Sequence, residues 1–407
     1  MKVRYVTMSF PASSETFASN DVRALAALGV DIGVHCLRRA NPDATLLLVE
    51  RRLERIPVTH NHAFGSLGRA LGTAWQNPGA AYYLLTQLFR TCVRSPRQLM
   101  GSLYLLPRVL EVFGTLLRDR PDVVHAYWAH YPSAVLLLVQ RFMPDVVTSI
   151  SFSAYDIHYR YPLSGQAAAR ADIVRTLSNY TAKEVADAFR LREDALEVIH
   201  DGVDMNLVPP ATRRIPRRIV TAGRIVRAKG MHHVLSTFAN VHRKFPDATL
   251  RVLGSGPELP HLAALARDLG LSSAVTFLGH VAQAEVLAEL QAAEVFLFLS
   301  LDERLPNAVK EAMVCGSVCV VSKTPGIDEL IREAVTGFIV EQGDVDGATA
   351  RIASVFDGSV DSDAMTRAAA AHIRNHFDLG DSVLRYVELW QGCLVQRKGE
   401  SARAEST

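Results

Sequence analysis

The chain has few cysteines, and none of them form a Cys-x-x-Cys pair. The five are odd in number and widely scattered, at Cys36, Cys92, Cys315, Cys319 and Cys393. This pattern argues against a disulfide framework and predicts reduced thiols in a cytosolic protein. The start, Met1-Lys-Val-Arg, leads directly into a strand, so we expect no secretory signal.

Neither sign of charge dominates, and no uninterrupted apolar run reaches the roughly 18 residues that a membrane-spanning helix needs. The 44 basic and 42 acidic residues leave a net charge of +2, which gives no reason to expect nucleic-acid binding. The chain has no low-complexity tract or short-period repeat. Its 407 residues, 49% of them hydrophobic, exceed what one core normally serves, so two domains are expected.

Two carboxylates, Glu303 and Glu311, lie on either side of a predicted strand-to-helix turn. The apolar run Val295–Ser300 is typical of a strand buried on both faces in a parallel sheet. Pro306-Asn307 breaks the chain, and apolar spacing from Ala308 predicts a helix that ends at Gly316. Glu311 therefore points toward the carboxyl end of the strand, where a carboxylate can accept hydrogen bonds from a vicinal diol such as a ribose.

A second strand-to-helix turn carries two cations. The segment from Ile219 to Gly230 predicts a strand, a turn with Arg224 and Lys229, and a helix that starts at Met231. Two cations beside a helix N-terminus favour a phosphate or diphosphate. Alone, this pair also fits an exposed basic turn.

A third turn, Gly254-Ser-Gly256, follows the predicted strand Thr249–Leu253. Its two glycines allow backbone amides to approach a ligand. Because Leu259 stands where a Gly-x-Gly-x-x-Gly fingerprint needs its third glycine, a nicotinamide dehydrogenase is disfavoured. After a further strand, His280-Val281 offers backbone groups to a nucleobase, although an ordinary loop position is equally consistent.

These segments resemble, in order and across roughly residues 219–345, the C-terminal domain of the retaining glycosyltransferases called family 4, which include sucrose synthases and mannosyltransferases. By the resemblance, Arg224 and Lys229 hold the donor diphosphate, Glu311 holds the ribose, and Glu303 contacts the donor sugar. The implied catalytic residues are Arg224, Lys229 and Glu303, and the implied donor-binding residues are Gly223, Gly254, Gly256, His280, Val281, Leu305, Pro306, Asn307 and Glu311. Arg304 is a departure, because the family usually has glycine there.

The first half is similar to the exopolysaccharide branch of this family, which includes colanic acid transferases. Phe10-Pro-Ala-Ser-Ser-Glu-Thr-Phe17 follows the predicted strand Val3–Met8, and Glu15 is a candidate acceptor-side residue there. Ser14 or Thr16 can also cap the next helix, which would explain the hydroxyls without a substrate role.

Two further segments supply acceptor-side candidates. His125 and His130 lie in Pro121–Tyr131, where their spacing could suit metal ligands, but no third ligand is evident and a satisfied loop or core histidine is favoured. In Thr148–Ile157, Ser153 stands where the family usually has the histidine of a His-Gly-x-Asp pattern, and Asp156 is kept. The acceptor-side candidates are Glu15, His125, Ser153 and Asp156.

The resemblance implies an α/β protein of the GT-B architecture, with two facing Rossmann-like domains and a C-terminal helix that returns to the first. We expect an acceptor-side domain at 1–205, a linker at 206–218, a donor domain at 219–375, the returning helix at 376–397 and a disordered tail at 398–407. Residues 64–118 combine apolar and basic residues. This composition fits either ordinary domain helices or peripheral contact with the inner membrane surface.

The implied reaction moves a hexosyl unit, with retention, from a nucleotide-diphosphate sugar to a hydroxyl of a polysaccharide or lipid-linked acceptor. Asp344-Val-Asp346 and Asp361-Ser-Asp363 lie beyond the expected site, so they are interpreted as loop and cap residues, and neither a metal nor another cofactor is expected. Two alternatives stay open: a nucleotide-sugar epimerase, and a noncatalytic nucleotide-sugar binding protein, which Ser153 favours.

Overall fold

The computed structural model describes residues 1–12, 15–210 and 213–405, and the chain forms two compact units. Unit 1 contains Met1–Asp201 together with the segment from Leu379 onward, and unit 2 contains Gly202–Asp378. The chain therefore passes from unit 1 to unit 2 after Asp201, four residues before the predicted end of the first domain at residue 205.

Unit 1 is a seven-stranded parallel sheet with the strand order β3-β2-β1-β4-β5-β6-β7. The strands are β1 (Lys2–Thr7), β2 (Asp31–Cys36), β3 (Val58–Thr59), β4 (Val123–Tyr127), β5 (Val147–Ser151), β6 (Ile173–Thr176) and β7 (Leu196–Val198). The helices are α1 (Thr16–Ala27), α2 (Ala44–Glu50), α3 (Ala63–Gln76), α4 (Pro78–Cys92), α5 (Pro96–Asp119), α6 (Ser133–Phe142), α7 (Ala154–Tyr159), α8 (Pro162–Ala168) and α9 (Asn179–Phe189). The order reverses between β1 and β4, which places a crevice at their carboxyl ends.

Unit 2 is a six-stranded parallel sheet with the order β10-β9-β8-β11-β12-β13. Its strands are β8 (Arg218–Ala222), β9 (Thr249–Leu253), β10 (Val275–Gly279), β11 (Val295–Phe298), β12 (Val318–Ser322) and β13 (Phe338–Val340). Its helices are α10 (Met231–Lys244), α11 (Leu259–Asp268), α12 (Gln283–Ala292), α13 (Asn307–Cys315), α14 (Val345–Phe356) and α15 (Ser362–His376). The predicted start at Met231 and stop at Gly316 are both observed, and Gly316 ends α13 with a φ of +88°.

The last helix, α16 (Leu379–Glu405), belongs to unit 1. Tyr386 and Trp390 are fully buried in the core beneath β1. The helix extends to Glu405, into the region predicted to be a disordered tail. Arg397, the last residue of the predicted returning helix, pairs with Asp172 at 2.7 Å. This ion pair joins the helix to the loop before β6 immediately before the extension begins.

One helix, α5, is long and apolar enough by length and composition to cross a membrane, although no uninterrupted apolar run was found in the sequence. Just over half of its most apolar window, 56%, is buried. Leu105, Val109 and Phe113 are part of the core of unit 1. Because core helices commonly pass the same test, this single helix is weak evidence for a membrane span.

A buried guanidinium links four segments of unit 1. Arg175 at the end of β6 is fully enclosed and donates to Asp201 Oδ1 and to the Ile199 carbonyl, both at 2.7 Å. Asp21 of α1 lies 3.7 Å from the guanidinium, and the ring of Tyr386 lies 5.1 Å from its centre. The pKa of Arg175 stays raised despite burial because these groups surround its charge.

Replacing Arg175 with Met should destabilise unit 1 by roughly 3–5 kcal/mol, because two buried carboxylates would lose their cation. Urea unfolding followed by circular dichroism measures the loss. The matched control is Arg385→Met on α16, whose partner Glu197 is solvent-exposed, and it should cost less than about 1 kcal/mol. Equal losses from the two substitutions would contradict a special role for the buried network.

Candidate functional site

The loops at the carboxyl ends of β8, β9 and β11 approach one another so closely that glycine is required. Gly254 has a φ of +129°, and a Cβ there would overlap the carbonyl of Gly223. A Cβ on Gly256 would likewise overlap the carbonyl of Ile225, and one on Gly230 would overlap that of Leu299. Backbone hydrogen bonds also join these loops: the Ile225 amide donates to the Ser255 carbonyl, and the Leu301 amide donates to the Ala228 carbonyl. The three loops therefore form one rigid structure, which we call the rim.

This rim fixes an ion pair between Lys229 and Glu303. The ammonium of Lys229 donates to Glu303 Oε2, and it lies 5.6 Å from the ring centre of Phe298. Both side chains are largely enclosed. Arg224 is exposed and has no ion pair in the part of the chain that the structure describes, so its charge is open to an incoming anion.

Two helices begin at this rim without a side-chain cap. Gly230 precedes α10 and Pro306 precedes α13, and neither helix N-terminus donates a capping hydrogen bond to a side chain of the described residues. Uncapped amides and the helix dipole favour an anion at each end. Asn307 Oδ1, in the first turn of α13, is buried and has no hydrogen-bond partner among the described residues, which leaves it available to a ligand donor.

Glu311 lies one turn into α13, and its carboxyl group is enclosed although part of the residue reaches the surface. Burial raises the pKa of Glu311 to about 7, while a hydrogen bond from Gln283 and the nearby Lys310 act in the opposite direction. Gln283 Nε2 donates to Glu311 Oε1 at 3.2 Å. Because burial disfavours the charged form of this carboxyl group, hydrogen bonds donated by a ligand would stabilise the carboxylate strongly.

The remaining predicted donor residues have simpler surroundings. His280 is exposed just after β10, and Val281 and Leu305 pack partly against the unit 2 core. Arg304, at the position where a glycine was expected, turns back to Asp302 at 2.7 Å. This contact gives the extra side chain a partner outside the Lys229–Glu303 pair.

The first aspartate of each predicted Asp-x-Asp pair caps a helix, and the second, Asp346 or Asp363, lies in the first turn of that helix. Asp344 accepts from the Gly347 amide and Asp361 from the Ala364 amide, both at 2.8 Å, at the starts of α14 and α15. Within residues 1–12, 15–210 and 213–405, no group of three or more His, Cys, Asp or Glu residues is arranged to hold a metal ion.

Unit 1 brings a second polar cluster to the carboxyl ends of β4 and β5. Ser153 caps α7: its amide and hydroxyl both donate to Asp156 Oδ2 at 2.8 Å. The other oxygen of Asp156 bonds Nδ1 of His130, also at 2.8 Å. Because the buried Asp156 oxygen accepts this bond, Nδ1 is the donor nitrogen of the ring, and in the neutral ring Nε2 of His130 is then an acceptor that has no hydrogen-bond partner among the described residues.

Glu15, after β1, belongs to the same cluster. Burial raises its pKa, while a hydrogen bond from the Trp128 side chain and the charges of His130 and Arg51 act in the opposite direction. Trp128 adopts a φ of +77°, a strained conformation for a bulky residue and one that concentrates at functional sites. The observed strain and the partly desolvated carboxyl mark this crevice as a candidate site.

The structure corrects two sequence-based assignments in this unit. His125 is fully buried, with Nδ1 2.7 Å from Ser149 Oγ and Nε2 3.1 Å from Ser151 Oγ, so it is a core histidine and not an acceptor-side residue. Thr16 is the first residue of α1, the N-cap position is Glu15, and neither of these two side chains makes a capping hydrogen bond. Ser14 lies outside the described residues.

Three contributors were not selected from the sequence: His130, Trp128 and Gln283. His130 was noted only for its spacing from His125, yet its partner Asp156 lies 26 positions away. The backbone strain at Trp128 has no sequence signature. Gln283 contacts Glu311 from a different helix, a contact that no local pattern predicts.

Two family models match adjacent parts of the chain. The model described as Glycosyltransferase Family 4 matches residues 14–207, and the model described as Glycosyl transferases group 1 matches residues 211–372. Their boundary falls close to the junction between units 1 and 2.

Curated relatives and solved structures agree with these matches. A glycogen synthase of Mycobacterium tuberculosis is 28% identical over 282 residues, which cover 66% of this chain and 68% of the relative. A putative colanic acid biosynthesis glycosyltransferase, WcaL, of Salmonella typhimurium is 25% identical and covers 87% of this chain and 90% of the relative. The crystal structure of Anabaena HepE in complex with UDP superposes with a TM-score of 0.71 at 18% identity, over 96% of this chain and 100% of that one. This last likeness supports the fold.

The raised pKa of Glu311 should make the free energy of unfolding depend on pH. The pKa is near 4.5 in the unfolded chain and about 7 in the folded one, so wild-type stability should fall as pH rises between these values. Glu311→Gln removes this loss, and its thermal midpoint should exceed that of the wild type at pH 8 by more than at pH 5. The exposed Glu285→Gln serves as the control, and a pH-independent difference for Glu311→Gln would contradict the burial of the carboxylate.

Proposed function

We propose that unit 2 binds the nucleotide-sugar donor at the rim formed by the loops after β8, β9 and β11. The premise is that this chain is a GT-B glycosyltransferase, in which a family 4 domain is followed by a group 1 domain. The observation that carries the proposal is the convergence at this rim of Lys229, Arg224 and two uncapped helix N-termini. Together they offer positive potential to a diphosphate without a metal ion.

The proposed reaction depends on stabilising the diphosphate as it leaves. Negative charge grows on the leaving group while the bond to the sugar breaks, and cations already fixed beside it lower that barrier without reorganising. Lys229 is held in place by Glu303, so it needs little motion to act. Glu311 accepts from the ribose hydroxyls, and Glu303 with the loop at Leu305–Asn307 holds the sugar.

We further propose that the anomeric configuration is retained, that the sugar is a hexosyl unit and that no divalent metal takes part. A double-displacement nucleophile would need a carboxylate at the anomeric carbon, and the carboxylates at the rim already have other partners: Glu303 pairs with Lys229, and Glu311 bonds Gln283. The donor phosphate itself then accepts the acceptor proton. Proton NMR of the anomeric coupling in the first product tests retention.

For the acceptor we propose a hydroxyl of a polysaccharide or lipid-linked intermediate, bound at the Glu15, His130 and Asp156 cluster of unit 1. The WcaL relatives, which are described as putative colanic acid biosynthesis enzymes, support an exopolysaccharide pathway. In this cluster Nε2 of His130 is the hydrogen-bond acceptor that can orient the hydroxyl, whose proton passes to the donor phosphate.

Calorimetric binding of UDP, GDP and ADP in the presence of EDTA tests the donor site. One nucleotide should bind with micromolar affinity at pH 8, where Glu311 is ionised, and Glu311→Ala should weaken it on the order of tenfold or more because the ribose loses its acceptor. Affinity of the wild type should also fall as the pH drops below the pKa of this carboxyl, which burial raises to about 7.

The exposed Glu341→Ala variant, in the same unit, should bind like the wild type. If none of the three nucleotides binds, or if Glu311→Ala binds normally, the donor-site assignment fails. A strict requirement for a divalent ion would overturn the metal-free part alone.

The role of His130 is tested with the donor that calorimetry identifies. His130→Gln should lower turnover, followed as donor hydrolysis, on the order of a hundredfold or more, while nucleotide affinity stays unchanged because the proposed nucleotide ligands all lie in unit 2. Ser153→His should also lower turnover, since it removes the hydroxyl that donates to Asp156.

His158→Gln is the matched control, because His158 is exposed on the same helix as Asp156. A large gain in turnover for Ser153→His would show instead that the present site is crippled by the missing histidine. That result would favour the noncatalytic alternative for the natural chain.

A further inference from the structure

Three consecutive helices of unit 1 expose large apolar side chains that a folded domain normally buries. Their exposed fractions reach 88% for Trp75, 75% for Tyr104, 73% for Tyr82 and 71% for Met100. We call the outward faces of α3, α4 and α5 that carry these residues the α3–α5 surface. Single exposed apolar residues are common, but a group of this size marks an interaction surface.

The spacing of these residues follows the helical repeat. Leu71 and Trp75 lie one turn apart on α3, and Met100 and Tyr104 lie one turn apart on α5. Other stripes of the helices, which include Ala70, Leu84, Leu88 and Leu105, pack into the unit 1 core. The helices therefore already bury one apolar stripe each in the core, and the exposed apolar residues form a second stripe that faces outward.

The same segment has an unusual charge pattern. Between Glu54 and Glu111 the sequence contains no aspartate or glutamate, although the whole chain is almost neutral. Arg90, Arg94 and Arg97, at the end of α4 and the start of α5, are exposed and make no ion pair among the described residues. Positive charge is thus concentrated beside the exposed aromatic rings.

We propose that the α3–α5 surface docks unit 1 on an anionic lipid bilayer. Tyrosine and tryptophan favour the boundary between headgroups and acyl chains, and arginines bind the anionic headgroups beside them. A second copy of this chain fits less well, because the unpaired arginines of two identical surfaces would face one another. Docking also deepens the proposed function, since a lipid-linked acceptor is presented at such a surface.

Flotation with vesicles tests this proposal on the full-length protein. Wild type should bind vesicles of dioleoylphosphatidylglycerol and dioleoylphosphatidylcholine at a 3:7 ratio and should not bind pure dioleoylphosphatidylcholine. The triple variant Arg90→Glu, Arg94→Glu and Arg97→Glu should lower partitioning by at least a hundredfold, because each neutralised arginine alone accounts for about fivefold. Trp75→Ser with Tyr104→Ser should also weaken binding, and tryptophan emission should shift to the blue when wild type binds.

The matched control reverses Arg267, Arg367 and Arg374, which are exposed in unit 2, and should leave vesicle binding intact. Failure of wild type to bind anionic vesicles, or equal losses in the two triple variants, would overturn the proposal. If the triple arginine variant loses vesicle binding and the Trp75→Ser, Tyr104→Ser variant does not, the surface would bind a soluble polyanion instead of a bilayer. A stable dimer that Trp75→Ser dissociates would assign the surface to a second copy. Nucleotide calorimetry stays independent of all these outcomes, so it separates failure of docking from failure of the donor site.

Discussion

The contact on which the donor side depends is made by backbone against backbone at the carboxyl edge of the unit 2 sheet. Gly230, Gly254 and Gly256 allow three loops to touch where any Cβ would collide with a carbonyl oxygen. Two of the three also hold a positive φ, which other residues adopt at a cost. The rim is consequently rigid before a ligand arrives, and preorganised charges of this kind are most effective in stabilising a leaving group.

The charges on this rim are divided between a paired and an unpaired cation. Lys229 is neutralised by Glu303, which removes the penalty of an enclosed ammonium but also reduces its attraction for a distant anion. Arg224 is exposed and has no ion pair among the described residues, so in the proposed reaction it is the cation that an incoming diphosphate meets without a competing carboxylate. In the proposed reaction a bound phosphate would share Lys229 with Glu303, and the attraction between Lys229 and the phosphate would strengthen as the leaving group gains negative charge. An interaction that strengthens in this way stabilises the transition state more than the bound donor.

The sequence predicted the parts of this protein that follow from local pattern. Apolar runs revealed the parallel strands, and the helix start at Met231 and stop at Gly316 were correct because glycine and apolar spacing act within a few residues. Contacts between distant segments were not predictable in the same way: the Lys229–Glu303 pair spans 74 positions, and the Arg397–Asp172 pair spans 225. His125 was misplaced because a histidine in a buried strand and one in a site share the same sequence neighbours.

Ser153 shows why a departure from a family pattern needs a structure before it is interpreted as a loss. Its hydroxyl and amide cap α7 through Asp156, so the position has a structural role of its own. The same carboxylate holds Nδ1 of His130, which reaches it from the loop after the neighbouring strand β4. A histidine is therefore still present beside Asp156, supplied by another strand, and the crevice keeps an imidazole whose tautomer is fixed by a buried carboxylate. The strain at Trp128, two residues before His130, fits a loop whose conformation is set by the position of that ring rather than by local preference.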